Sequence, residues 1–137
     1  MRESGGDRML RELLGQCGAD QLAHQEALAS LLREAYPRAP LAPSEGMRGL
    51  VRDVVRGLRV AARAGGESLD LAILSQYQRL SRHHLSRVGT AAAYAEGLRM
   101  ATHVATLANI MIDISNGESE AKRLALEREA AEASPRD

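Results

Sequence analysis

The feature that most constrains this chain is a series of residues at Leu71, Leu74, Gln78, Ser81, Leu85, Val88, Ala92 and Ala95, in which steps of three and four alternate without a break. Such a series gathers one stripe on a helix, the seam along which bundles and coiled coils pack. It predicts a helix of about 28 residues, capped by Ser68 and ending at Gly97. Gly89 lies inside it, costing roughly 1 kcal/mol relative to Ala but permitting close approach of a neighbouring helix. Composition points the same way. The chain is 45% hydrophobic, yet its aromatic residues are Tyr36, Tyr77 and Tyr94, with no Phe and no Trp. Sheets draw on aromatic and β-branched side chains, so an all-β fold is disfavoured.

Helical spacing recurs elsewhere. Met9, Leu10, Leu13 and Leu14 mark a first segment from Asp7 to Gly15, after which Gly15 and Gly18 weaken the helix. A second pattern starts near Ala19, with His24, Leu28, Leu31, Leu32 and Ala35 on one face, and stops where Pro37, Pro40 and Pro43 make 37–43 a loop. Ser44 is a good N-cap for a third helix, whose apolar face is Met47, Leu50, Val51, Val54, Leu58 and Ala61 and which ends at Gly65-Gly66. The last pattern uses Val104, Leu107, Ala108, Met111 and Ile114, then meets Ser115-Asn116-Gly117 before the charged stretch from Glu118 to Ala131. Either one long helix bends there or two helices meet. The expectation is a single all-α domain over residues 1–137, an up-and-down four-helix bundle with a short extra amino-terminal helix as an option. Residues 1–6 and 134–137 are expected to fray.

Eighteen basic and eighteen acidic residues cancel, which argues against a whole-protein electrostatic footprint for nucleic acid or anionic membrane. The amino end, MRESGGDRML, has no apolar leader segment, and the apolar stretch Val104 to Ile114 is interrupted by Asn109 and Asp113 and too short to span a bilayer. A cytoplasmic protein without a membrane partner is expected. Cys17, the single cysteine, reads as a small residue near a helix end rather than a redox group. No phosphate loop follows a strand, GGESLD at 65–70 reads as a helix–helix turn, and Ser75, Ser81 and Ser86 lie on a helix. No catalytic residue is assigned.

The stretch QRLSRHHLSRVGTAAAYAEGL, Gln78 to Leu98, resembles the signature of the YciF-type ferritin-like family. EGMRGLVRD from Glu45 and HQEALASLLREA from His24 resemble two further segments of that family in the same order, so the resemblance covers roughly residues 20–125. It implies a ferritin-like fold, a stress-associated role and a two-metal site. Such sites take a carboxylate from each of two helices and a Glu-x-x-His pair from each of the others. Here the family glutamates fall on Ser81 and His84, and its histidine on Arg82. The first Glu-x-x-His position reads Gln21, Leu22, Ala23, His24, and the glutamate-rich run of the last helix is replaced by IDISNGESE, Ile112 to Glu120. Set against the family, the site is degenerate, and no cofactor is expected.

Projected inward without the family, the polar residues on core-facing stripes are His24, Gln78, Ser81, Ser115 and Glu118. His24 reads as a core histidine satisfied by Gln78, Ser81 or water, with metal ligation as the alternative. His83 and His84 cannot both face inward, since neighbours on a helix are about 100° apart, and His84 is the better inward candidate. His103 has no evident companion, and Asp113 and Glu118 do not face one another. The rival to a non-catalytic, structural or interaction protein is therefore an iron- or manganese-binding oxidoreductase or iron-handling bundle with an atypical ligand set around His24, His84 and Glu118.

One further pattern stands out on the helix after the prolines. Arg48, Arg52, Arg56, Arg59 and Arg63 fall within an arc of about 80°. Three readings compete: a solvated face ion-paired to Glu118, Glu120, Glu127, Glu129 and Glu132; a protein interface, including a homodimer; and a polyanion or nucleic-acid site, which zero net charge and the shortage of aromatics count against.

Overall fold

The computed structural model describes residues 5–38 and 45–134, and within them every regular element is a helix: α1 (Gly5–Ala35), α2 (Glu45–Ala64), α3 (Gly66–Gly97) and α4 (Ala101–Ala133). The expected break in the first helix does not occur. Gly15 and Gly18 sit on the exposed side of a continuous α1, while Leu10, Leu13, Cys17 and His24 are buried along one side of it. Burial along that side outweighs the roughly 1 kcal/mol that each glycine costs. There is accordingly no separate amino-terminal helix, and Gly5 and Gly6, expected to fray, already belong to α1. Residues 1–4 and 135–137, and the expected cap Ser44, lie outside the described residues.

The two tight connections show why the helices stop. Gly65 and Gly66 take positive φ of 69° and 56° and reverse the chain in the shortest span, so α3 begins at Gly66 and Ser68 lies inside it rather than capping it. At the other end Leu98 N–H bonds Tyr94 O at 3.0 Å, Arg99 N–H bonds Glu96 O at 2.9 Å and Met100 N–H bonds Ala95 O at 2.9 Å. These bonds satisfy terminal carbonyls of α3, and the turn places Arg99 at φ 57°. α4 runs without interruption through Ser115, Asn116 and Gly117. The segment from Ala101 to Ala133 is therefore one long helix, not two that meet.

Within the seam on α3, the residues at every seventh position, Leu74, Ser81, Val88 and Ala95, are buried. α4 answers with Leu107, Ile110, Ile114, Ala121 and Leu124, steps of three and four in which Gly117 fills the remaining place. Two apolar clusters result. Leu10, Leu13, Cys17, Leu74, Ala121 and Leu124 make one. Val88, Ala95, Leu107, Ile110 and Ile114, with Leu28 and Leu31 packed against them, make the other. A polar layer separates them.

α3 and α4 form the most extensive pair, α1 lies on α4, and α2 lies on α3. Contacts of Cys17 with Tyr77, His24 with His84, His24 with Asp113 and Glu34 with His103 set α1 parallel to α3 and antiparallel to α4, so the helices alternate in direction. α1 and α2 share no extended contact, which leaves the ring of four open along that edge. Val54 is the buried residue of α2, while Val51, Val55 and Val60 are exposed. Among the described residues no helix is long and apolar enough to cross a membrane.

Candidate functional site

The polar layer is built by three helices at one level. α1 supplies Cys17, Gln21 and His24, α3 supplies Tyr77, Ser81 and His84, and α4 supplies Asp113 and Gly117. His24 is 4% exposed, and its Nε2 lies 3.0 Å from Asp113 Oδ2. An ionised carboxylate only accepts, so Nε2 carries the proton and donates it. The other ring nitrogen, Nδ1, is buried without a partner among the described residues. The partner of His24 is thus Asp113, not Gln78 or Ser81 as expected. The change follows from the α1–α4 register, which no local pattern reveals.

His24 and His84 are brought together, with ring centroids 6.1 Å apart. Burial, and then the positive charge that His24 and His83 can carry, lower the His84 pKa below its ordinary value of 6.5. Gln21 Nε2 lies 3.4 Å from His84 Nδ1. Glu118, the carboxylate expected to complete a ligand set with these two histidines, does not join them: its Oε1 accepts a bond from Arg82 Nε at 2.6 Å. No group of three or more His, Cys, Asp or Glu among the described residues is arranged to hold a metal ion.

Cys17 sits in the middle of α1 rather than near a helix end, and its thiol donates to Tyr77 Oη at 3.0 Å. Burial raises the pKa of both groups, that of Tyr77 to about 12. A protonated, buried thiol is a poor nucleophile. Gly117 makes room for this pair, because a Cβ there would collide with Tyr77 Oη and touch Cys17 Sγ. Tyr77 and Asp113 are the members of this layer that sequence reasoning missed. Gly117 was the signal available for Tyr77, a small residue inside an apolar stripe where something large must fill the space.

The arginines of α2 lie elsewhere. On a helical projection they centre almost opposite Val54, the buried residue that anchors α2 to α3. The ion pairs expected with the last helix do not form, because α2 packs on α3, and three of the five carboxylates have other partners: Glu118 bonds Arg82, and Glu120 and Glu127 bond Arg123. Arg48 bonds Glu45 at 2.8 Å and Arg56 approaches Asp53 at 3.9 Å, both within α2. Arg52, Arg59 and Arg63 are exposed and make no ion pair among the described residues. His103, left without a companion by its spacing, lies 3.3 Å from Glu34.

No family model, curated protein or solved structure matches this chain.

Proposed function

We propose that this protein is a non-catalytic, ferritin-like helical bundle that works through protein contacts, a divergent relative of the YciF-type family whose two-metal site has been dismantled. The observation that carries the contact reading is the state of α2. Five arginines share its outer face, three of them without ion pairs among the described residues, and the exposed Val51 and Val55 lie beside them. A helix that buries Val54 and only half-buries Met47, Leu50, Leu58 and Ala61, with its charge turned outward beside apolar surface, has the makings of an interface that an acidic partner would complete. The reading of a dismantled site is supported by the layer itself, where the carboxylate that reaches His24 is the half-exposed Asp113, already engaged with it.

Fluorescence anisotropy with a labelled polyglutamate peptide tests the first part, with a labelled DNA duplex as the competing polyanion. The peptide is expected to bind at low salt and to release from the Arg52→Glu/Arg59→Glu variant. Binding of the duplex in preference to the peptide would move the function to nucleic acid. The juxtaposition of His24, His84 and Asp113 favours one second reading, an iron or manganese site with an atypical ligand set. Elemental analysis of tag-free protein loaded with either metal decides it: near-stoichiometric retention, lost in His24→Ala, would make the bundle a metal protein and displace the contact reading.

A further inference from the structure

We propose that the partner of the α2 face is a second copy of this chain, seated so that α2 of each protomer lies in the cleft between α1 and α4 of the other. The inference rests on the reading of α2 as a protein-binding face and names its occupant.

The cleft has a volume of about 470 Å³ and is walled by Glu12 and Asp20 from α1 and by Asp113 and Glu120 from α4, with Met9 and Leu13 among its apolar lining. Glu12 is already approached by Arg8, Asp20 by Gln16, Asp113 by His24 and Glu120 by Arg123, but a carboxylate has about four acceptor sites, so with the apolar floor the four still complement α2, which presents arginines beside exposed valines. The spacing also agrees. Arg52 and Arg59 are seven residues apart, as are Asp113 and Glu120, which on helices is a rise of about 10.5 Å in each case. Glu12 and Asp20 are separated by about 12 Å on the same count.

Within one molecule these surfaces do not meet. α2 packs on α3 and α1 packs on α4, and the ring is open between α1 and α2. The charge balance points to self-association rather than to an unrelated acidic protein. α2 holds five arginines against Glu45 and Asp53, so in a chain of zero net charge the remainder carries a matching excess of carboxylates. Each copy therefore offers both halves of the contact. A two-fold axis uses the pair twice and closes the assembly at two, with no surface left over to build a filament.

Sedimentation velocity of the full chain, at low and at high salt, tests this. The wild type is expected to be a dimer at low salt and to dissociate as salt screens the contact. Arg52→Glu/Arg59→Glu and Glu12→Lys/Glu120→Lys should each be monomeric, and an equimolar mixture of the two should form a dimer again, since both of its contacts are complementary. A thermal melt of each variant confirms its fold; should a reversal fail to fold, the corresponding Gln variants replace it, with a weakened dimer as the expected result. A wild type that stays monomeric at low salt, a dimer that survives both variants, or a mixture that remains monomeric would overturn the inference. If the wild type is monomeric while polyglutamate still binds through Arg52 and Arg59, the partner is another protein and the contact reading stands. If it is monomeric and an anionic vesicle or a duplex binds instead, both fall.

Discussion

His24 Nε2 lies 3.0 Å from Asp113 Oδ2, joining α1 to α4 through a side chain that is otherwise enclosed by the core. The bond satisfies one nitrogen of a buried imidazole, whose second nitrogen has no partner among the described residues. This layer is a compromise between two apolar clusters, and its value to the fold depends on the pair being intact.

Removing only one member should therefore be worse than removing the polar character altogether. Asp113→Ala leaves His24 buried with neither nitrogen bonded and is expected to cost about 1–3 kcal/mol. His24→Leu fills a similar volume without a polar group, while Asp113, half exposed, keeps its water. Urea unfolding should find His24→Leu close to the wild type or more stable; an Asp113→Ala protein with an unchanged midpoint would contradict a role for the pair in holding the layer.

Gly117 and Tyr77 form a size-matched pair. On helix propensity alone Gly117→Ala would gain roughly 1 kcal/mol. The new Cβ, however, meets Tyr77 Oη, and the overpacking is expected to cost about 1–3 kcal/mol. Tyr77→Phe removes the obstructing oxygen, so the two changes should be non-additive, the double variant recovering most of the loss. Additive melting shifts would place the obstruction elsewhere.

The lowered pKa of His84 makes stability depend on pH in a definite direction. Below its ordinary value of 6.5 the unfolded chain binds a proton that the folded chain resists, so stability falls as pH drops through and below that value and is level above it. Protonation also brings positive charge beside His24 and His83. Denaturation midpoints followed between about pH 5 and 8 should decline on the acid side, with a shallower decline in His84→Gln. An unaltered slope in that variant would assign the effect to other groups.

Arg99 holds φ 57° in the turn from α3 to α4, a conformation that costs an L residue about 1–2 kcal/mol. Glycine is free of that cost but loses more backbone freedom on folding. Arg99→Gly should accordingly stabilise by a few tenths to about 1 kcal/mol, read as a higher melting temperature. A lower one would show that the arginine side chain contributes more than its backbone costs.

What could be read along the chain was whatever repeats locally. The alternation from Leu71 to Ala95 marks a helix and its buried side because three and four steps bring side chains to one face whatever lies opposite. Pro37 and the Gly65-Gly66 pair mark ends because they act on the backbone where they stand. The arginine arc on α2 was legible on the same grounds. What only the tertiary structure decided is which face meets which. Whether Gly15, Gly18 and Asn116-Gly117 break a helix depended on the burial available to a continuous helix, gained from other helices. That His24 bonds Asp113, that Glu118 bonds Arg82, and that the α2 arginines stay clear of the last helix all follow from the register and order of packing. Sequence periodicity sets the faces, but pairing across the bundle is the sum of many long-range contacts, and a side chain has no preference for its partner until that sum has placed them together.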